Sequence, residues 1–155
     1  MPHSGVLTAA LDGRGVAYEL LEHPRTDRAA DEAAVLGLEP RDVAKTIVVS
    51  RGEGHVRVVL PASERIDMRK LRDFLAGGKE LQLLTEEDME RAYPDFELGA
   101  VPPLGGPEDE VVVDRRVAER GSVVFEAGSH SSSIKVATSD LVAAAHGRVA
   151  DVCED

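Results

Sequence analysis

Hydrophobic residues recur along this chain with two different spacings. Near the amino terminus, Val6, Leu7, Ala10 and Leu11 fall on one face of a helix, and Ser4 is positioned to cap it. Elsewhere, short runs of aliphatic and β-branched residues indicate strands, and continuous apolar runs are typical of strands buried on both faces. Helical and strand-like segments therefore succeed each other along the sequence.

The pattern predicts strands over residues 16–21, 46–50, 55–60, 81–84, 111–113, 122–126 and 133–137. It predicts helices over residues 28–36 (capped by Thr26 or Asp27), from Asp67 as cap to residue 75, from Thr85 as cap, over 114–120, and over 139–145 (capped by Thr138 or Ser139). Several strand pairs have hairpin spacing. The predicted fold class is α/β, with a mixed, largely antiparallel sheet flanked by helices, in one domain over residues 1–155.

The helical and strand patterns stop between residues 93 and 109. Four prolines and three glycines within these seventeen residues exclude a helix or a central strand. Apolar residues such as Phe96 and Leu104 argue against disorder, and loops of this length are commonly functional. The segment Gly99-Ala100-Val101-Pro102-Pro103 is either a structural crossover or a rigid wall that presents main-chain groups to a ligand.

Composition limits the classes of partner. Aromatic residues make up only 3% of the 155 residues, so a stacking platform for single-stranded nucleic acid is excluded. The net charge of −11 argues against broad binding to nucleic acid or to an anionic membrane, but it leaves room for a local basic patch. The single cysteine, Cys153, and the absence of a signal pattern or long apolar run predict a cytoplasmic protein.

Most catalytic motifs are missing. The sequence contains no GxSxG, HExxH, CxxC, P-loop or GxGxxG pattern, and its five histidines are scattered without the spacing of metal ligands. Cys153 is the third residue from the end of the sequence and is a poor nucleophile candidate. We therefore expect neither a metal nor another cofactor.

Two further polar clusters accompany the proline-rich loop. Lys45 and Thr46 stand at the start of the apolar run IVV, where Lys45 is either a snorkelling surface residue or a cation directed into a pocket. Gly128-Ser129-His130-Ser131 follows the predicted strand 122–126 and forms either an exposed turn or a second polar wall.

Taken together, these clusters resemble the YbaK family of free-standing aminoacyl-tRNA deacylases, which is related to the editing domain of bacterial prolyl-tRNA synthetases. The resemblance extends over nearly the whole chain, from EHPRT at residues 22–26 through KTIVV, ELGAVPPLG and VVVD to AGSHSSSIKV. Each motif is weak by itself, but their order and spacing are specific.

This resemblance implies a YbaK-like fold, with a barrel-like sheet, and hydrolysis of the ester that joins a wrong amino acid to tRNA. Lys45 matches the essential lysine of the family, and Gly99 and Pro103 match its GxxxP loop. The family uses water as the nucleophile, without a metal or a side-chain nucleophile. The substrate-binding residues implied by the resemblance are Thr46, Ala100, Val101, Pro102, Gly128, Ser129 and His130.

The implied partners are the acceptor end of a tRNA carrying its amino acid, with tRNA-Pro or another tRNA bearing a small or near-cognate residue as substrate, and an aminoacyl-tRNA synthetase. A cationic face would be required, for which Arg25, Arg28 and the helix positions Arg69, Lys70 and Arg72 are available. Two alternatives remain open: a catalytically silent module that binds a nucleotide or an aminoacyl-like metabolite, and a general hydrolase of small aminoacyl esters.

Overall fold

A computed structural model of the chain describes residues 4–75 and 80–155. The strands are β1 (Tyr18–Glu22), β2 (Ala44–Arg51), β3 (Gly54–Pro61), β4 (Leu81–Leu83), β5 (Glu110–Asp114), β6 (Ser122–Ser129), β7 (Ser132–Ala137) and β8 (Arg148–Ala150). The helices are α1 (Gly5–Gly13), α2 (Ala29–Val35), α3 (Met68–Leu75), α4 (Glu86–Ala92), α5 (Arg115–Ala118) and α6 (Thr138–Ala144), and a short 3-10 turn covers Pro40–Asp42.

The strands form two sheets. The larger sheet has the order β4-β2-β3-β5-β8, and the smaller has the order β1-β7-β6. Neighbours are antiparallel except for β3 with β5 and β5 with β8, which are parallel. A parallel bridge between Val43 and Val124 joins the sheets beside β2. The predicted fold class, mixed and largely antiparallel with flanking helices, is confirmed.

The hydrophobic core follows this arrangement of the sheets. One cluster lies between the two sheets and α1 and α6, and includes Leu11, Phe125 and Leu141. A second cluster packs α3 against the larger sheet through Leu71. None of the helices within residues 4–75 and 80–155 combines the length and hydropathy needed to span a bilayer.

Two of the predicted caps are confirmed. Thr85 Oγ1 accepts a hydrogen bond from the Asp88 backbone N–H at 3.1 Å, which caps α4. Asp67 Oδ1 accepts from the backbone N–H groups of Arg69 and Lys70 at 2.9 and 3.1 Å, which caps α3.

The other predicted caps make no side-chain capping bond. Ser4 occupies the N-cap position of α1, as predicted, but its side chain does not cap the helix. The cap predicted for α6 is wrong, because the helix begins at Thr138 behind Ala137. Arg28, in extended conformation, precedes α2. Thr26 lies two residues before that position, and its backbone N–H and its Oγ1 both donate to the carbonyl of His130, at 2.9 and 3.4 Å. A tertiary contact more than a hundred residues away in sequence thus overrides a local preference.

β8 and the 3-10 turn were not predicted. Arg148 and Val149 of β8 are exposed, so the segment has no buried apolar run to mark it as a strand. Its strand character comes from parallel pairing with β5, in which Val113 is opposite Val149. Pairing with a distant strand leaves no signal in a three-residue segment.

Residues 93–109 contain neither helix nor strand, as predicted, and the segment is shaped around Arg57 of β3. Arg57 is 1% exposed and its Nε lies 2.9 Å from Asp109 Oδ2. Its guanidinium also donates to the carbonyls of Pro102, Gly105 and Pro107 at 2.9, 2.7 and 3.0 Å. A buried cation therefore holds the far half of the loop in one conformation.

Replacing Arg57 with Met should lower the free energy of unfolding by about 3–5 kcal/mol, because Asp109 is then buried without its cation. Urea denaturation measures the change. The matched control is Arg41→Met, since Arg41 has a side chain that is 71% exposed and pairs with Glu39 at 2.8 Å. That change should cost less than about 1 kcal/mol. Equal losses for the two variants would contradict the role assigned to Arg57.

Candidate functional site

A cavity of about 500 Å³ opens where β2 runs past the proline-rich loop, α2 and β6. Its walls are formed by residues 27–30, 44–48, 62, 83–84, 89, 99–101 and 125–126. Five of the residues singled out from the sequence, Lys45, Thr46, Gly99, Ala100 and Val101, line it. The others, Pro102, Pro103, Gly128, Ser129 and His130, lie outside its lining.

Lys45 is half-buried at the start of β2, opposite Leu60 of β3. The side chain has neither a hydrogen bond nor an ion pair with any residue in the described part of the chain. Burial is the largest influence on its amine and lowers the pKa of Lys45 below its usual value, although the neighbouring Cys153 acts in the opposite direction. An unpaired, partly desolvated amine on a cavity wall can interact strongly with an anionic or polar ligand.

Gly99 begins the part of the loop that faces the cavity. Its φ of +84° lies in the left-handed region, which favours glycine. A Cβ atom at this position would meet Cε1 of His130 at 3.5 Å. The turn is closed by the backbone N–H of Ala100, which donates to the carbonyl of Glu97 at 3.0 Å. Gly99 thus brings the loop close to His130.

His130 is buried, so the interpretation as an exposed turn histidine is wrong. Its Nε2 lies 2.6 Å from the carbonyl oxygen of Leu98 and donates to it, since a carbonyl only accepts. Its Nδ1 lies 2.8 Å from Glu126 Oε2, and its backbone N–H donates to Glu97 Oε2 at 2.8 Å. His130 therefore lies behind the cavity wall and holds the loop in place from there.

Glu126, which is hydrogen-bonded to His130, connects these contacts of His130 with the cavity. It lines the cavity and is 9% exposed. Burial raises the pKa of Glu126 to about 8, and the negative charge of Glu97 adds to the rise. The sequence does contain a signal for it, a lone carboxylate in the apolar strand VVFEA, four residues before His130, but the prediction did not use it.

The EHPRT and AGSH segments are far apart in sequence but are in contact around His130. The backbone N–H of His23 donates to the carbonyl of Ser131 at 3.0 Å, and that of Thr26 donates to the carbonyl of His130 at 2.9 Å. Gly128 accepts from the backbone N–H of Glu97 at 2.8 Å. The predicted substrate residues Gly128 and Ser129 belong to β6 beside an irregularity in its pairing with β7.

Pro102 and Pro103, the two prolines after Val101, do not line this cavity. The carbonyl of Pro102 accepts from Arg57, and Pro103 lines a separate cavity of about 460 Å³ together with Arg57, Leu104 and Ala144. The GxxxP segment therefore bridges two cavities, with Gly99 facing the first and Pro103 the second.

Behind α2 lies a buried chain of polar side chains that no pattern in the sequence predicts. Glu32 is fully buried and its Oε2 is hydrogen-bonded to Ser133 Oγ of β7. Ser133 Oγ is also 2.9 Å from Nε2 of His23, whose Nδ1 lies 2.8 Å from the carbonyl of Pro24. Burial raises the pKa of Glu32 to about 8, so its neutral form is favoured at neutral pH.

The predicted cationic face is only partly available. Arg28 lines the cavity but pairs with Asp31 at 3.4 Å, and Arg25 pairs with Glu97 at 3.2 Å. The prediction that Lys70 faces solvent is wrong, because its Nζ donates to the carbonyl of Cys153 at 2.8 Å and pairs with Asp155 at 2.8 Å. Arg69 and Arg72 of α3 are exposed, as predicted.

In the described part of the chain, neither Cys153 nor the histidines indicate a nucleophilic or metal-binding site. Cys153 is buried in the core under α3, and burial raises the pKa of its thiol to about 12. Within the described ranges, no group of three or more His, Cys, Asp or Glu side chains is arranged to hold a metal ion.

Replacing Gly99 with Ala should lower the free energy of unfolding by about 1–2 kcal/mol, because a Cβ is disfavoured at positive φ. The contact with His130 at 3.5 Å is an ordinary one, so the cost comes from the backbone. Urea denaturation measures it. Gly13→Ala is the control, since Gly13 ends α1 with nothing within 4 Å of an added Cβ, and it should be neutral or stabilising. A neutral Gly99→Ala would show that the loop does not need this conformation.

The stability of the protein should fall as the pH rises from about 4.3 to 8, in part because of Glu32. Its folded pKa of about 8 lies above the unfolded value, so the folded state holds an extra proton within this window and loses it as the pH rises. Glu32→Gln should flatten the slope of unfolding free energy against pH, measured by urea denaturation across the window. The exposed Glu19→Gln should leave the slope of the wild type unchanged. If Glu32→Gln leaves the slope unchanged as well, Glu32 is not the group that binds the proton.

Known proteins share both the sequence pattern and the fold. Residues 23–144 match the aminoacyl-tRNA editing domain. A proline–tRNA ligase from Thermosipho melanesiensis is 26% identical over 101 residues, which is 64% of this chain and 17% of the ligase. The chain therefore spans only a small part of that relative.

Two solved structures superpose over nearly the whole chain. The structure of a candidate trans-editing enzyme for prolyl tRNA synthetase gives a TM-score of 0.89 with 23% identity, covering 100% of this chain and 99% of the other. That of a hypothetical protein, APE2540, gives a TM-score of 0.87 with 27% identity, covering 96% and 99%. At such identity the first likeness establishes the fold alone. The match over residues 23–144 confirms the family predicted from the motifs, and the chain belongs to the aminoacyl-tRNA editing domain family.

Proposed function

We propose that this protein is a free-standing editing deacylase, which hydrolyses the ester bond between a wrongly attached amino acid and the 3′ end of a tRNA. The observation that carries the proposal is the half-buried, unpaired Lys45, which lines a cavity of about 500 Å³ together with residues 99–101. Both features lie within the residues that match the editing domain. A module that only binds its ligand, without catalysis, has less need of an unpaired amine beside a loop held in one conformation.

The ester is cleaved by water. The water oxygen attacks the carbonyl carbon, the bond to the ribose oxygen breaks, the ribose oxygen leaves with a proton, and the amino acid departs as a carboxylate. Thr46 supplies the one hydroxyl among the described lining residues, and no histidine lines the cavity beside it to take its proton. This lining argues against Thr46 as the nucleophile, and we propose water in its place.

Lys45 acts as a fixed cation toward the end of the tRNA. Its amine has been partly desolvated and faces no carboxylate at bonding distance within the described chain, so its charge is available to a substrate. The main-chain groups of residues 99–101 supply a further part of the wall. We propose Gly99 and Pro103 as functional residues of this loop, Gly99 at the site and Pro103 as its anchor in the neighbouring cavity.

Selection by size fits the walls of the cavity. Its lining combines five alanines with larger apolar side chains such as Leu84, Met89 and Phe125, which bound the space on several sides; the alanines are Ala29, Ala30, Ala44, Ala62 and Ala100. A synthetase discriminates by only about 1–3 kcal/mol per methylene, which makes a second, hydrolytic site useful for similar or smaller amino acids. We propose a small or near-cognate residue as substrate, and tRNA-Pro as a carrier because of the proline–tRNA ligase relative.

Recognition of the tRNA is confined to its acceptor end. The net charge of −11 disfavours a wide RNA-binding face, and both Arg28 at the cavity and Arg25, three residues before it, are already paired with carboxylates. We propose that the chain works as one editing domain in the cytoplasm, where a synthetase supplies the mischarged tRNA.

Lys45→Ala should reduce the rate of deacylation by about 10²–10³-fold, as expected for the loss of one preorganised electrostatic contact. A panel of mischarged tRNAs, each compared with its buffer blank, identifies the substrate and measures the effect. Lys135→Ala is the control, because Lys135 is exposed on β7 away from the cavity and its loss should leave the rate unchanged.

Two outcomes would contradict parts of the proposal. If no tRNA in the panel loses its amino acid faster than the blank, the deacylase function fails and the silent binding module is favoured. If Lys45→Ala retains full activity, the function stands but the role of Lys45 is wrong.

A further inference from the structure

The outer edge of β2 is open beside the cavity. β4 pairs with β2 only at residues 49–51, and the next contact on that side is the backbone N–H of Leu84, which donates to the carbonyl of Val48 at 3.1 Å. Toward the start of the strand, the bridge of Val43 with Val124 joins β2 to the smaller sheet. Between these two contacts, no strand in residues 4–75 and 80–155 covers the edge at Thr46.

The register of the sheet shows which backbone groups face this opening. The carbonyl of Val43 accepts from Ala62 on the β3 side, and antiparallel pairing alternates, so residues 45 and 47 also face β3. The carbonyl of Val48 faces the opposite side, toward Leu84. The N–H and C=O of Thr46 therefore point away from β3, into the opening, and neither has a partner among the described residues.

A residue whose main-chain N–H and C=O are both free needs a partner that offers one acceptor and one donor. In an antiparallel pair, two opposed residues exchange both N–H···O bonds, whereas in a parallel pair each residue bonds to two residues of its partner. A single amino acid can therefore satisfy both groups of Thr46 only in the antiparallel sense. An aminoacyl ester carries an ammonium donor on one side of its α-carbon and a carbonyl acceptor on the other. These are the two partners that the main-chain groups of Thr46 lack.

We propose that the aminoacyl group of the substrate adds to the edge of β2 as a single residue of antiparallel strand. This rests on the proposed editing function. The carbonyl of Thr46 accepts from the α-ammonium group, and the N–H of Thr46 donates to the ester carbonyl oxygen. When water attacks, negative charge develops on that oxygen, so the same N–H stabilises the tetrahedral intermediate.

The direction of the pairing places the rest of the substrate. The ester end of an antiparallel residue at Thr46 runs toward Lys45, so the lysine lies on the side of the tRNA. Opposed residues in an antiparallel pair project their side chains to the same face. The side chain of the amino acid therefore lies beside that of Thr46, between Ala44, which packs in the cluster of Phe125, and Val48, which packs in that of Val101.

Amide exchange in the wild-type protein tests the pairing directly. The probe is 3′-(L-alanylamino)-3′-deoxyadenosine, which has an amide in place of the ester and is not hydrolysed. Saturation with it should slow exchange of the Thr46 N–H by about tenfold or more, because a free edge donor becomes bonded. The N–H of Ile47, which faces β3, should be protected with and without the probe. The matched control ligand, 3′-amino-3′-deoxyadenosine, lacks the alanyl group and should leave Thr46 unchanged.

Failure to protect Thr46, whether the probe binds elsewhere or does not bind at all, would overturn the inference. Protection of Thr46 in a protein that hydrolyses no mischarged tRNA would support the pairing and reject the proposed function. Hydrolysis of a mischarged tRNA without protection of Thr46 would support the proposed function and reject the pairing.

A second measurement uses catalysis. Replacing Thr46 by its α-hydroxy acid counterpart converts the peptide N–H to an ester oxygen and should lower kcat by about 10²–10³-fold, the effect of losing one oxyanion donor. The same replacement at Val56, which lies opposite Val49 inside the sheet, should reduce stability but keep kcat. Equal kcat for the two variants would overturn the role of the Thr46 N–H.

Discussion

The hydrogen bonds of one buried histidine determine the shape of the site. His130 binds the carbonyl of Leu98 through Nε2, the carboxyl of Glu126 through Nδ1 and the carboxyl of Glu97 through its backbone N–H. Buried polar groups are costly when unpaired, so a change at any one of these residues leaves the others unsatisfied. The loop before Gly99 therefore has a single low-energy position relative to β6.

A buried cation, Arg57, fixes the other end of the same loop. Arg57 binds the carbonyl of Pro102 and two more carbonyls beyond it, while Asp109 balances its charge. Between the two anchors, Gly99–Val101 faces the cavity as a wall clamped on both sides. Polar contacts in the protein interior make this wall rigid, which suits the proposed selection of substrates by size.

The parts of the site that are visible in the sequence are those with a local pattern. Lys45 and Thr46 stand out against an apolar run, and Gly99 stands out in a loop without periodicity. Glu32 and Arg57 were missed because their partners lie 101 and 45–52 residues away in sequence, and nothing nearby marks them. His130 was noticed, but only the folded chain shows that it lies behind the wall.

The contact between Leu84 and Val48 has a consequence for which esters fit. A residue paired with Thr46 in the antiparallel sense points its amino end toward Val48, where the N–H of Leu84 already occupies the carbonyl. A nascent peptide attached to tRNA would have to continue along this edge and meets β4 at once. If the substrate pairs as proposed, the site admits a lone amino acid and rejects peptidyl-tRNA, so it would leave translating ribosomes undisturbed.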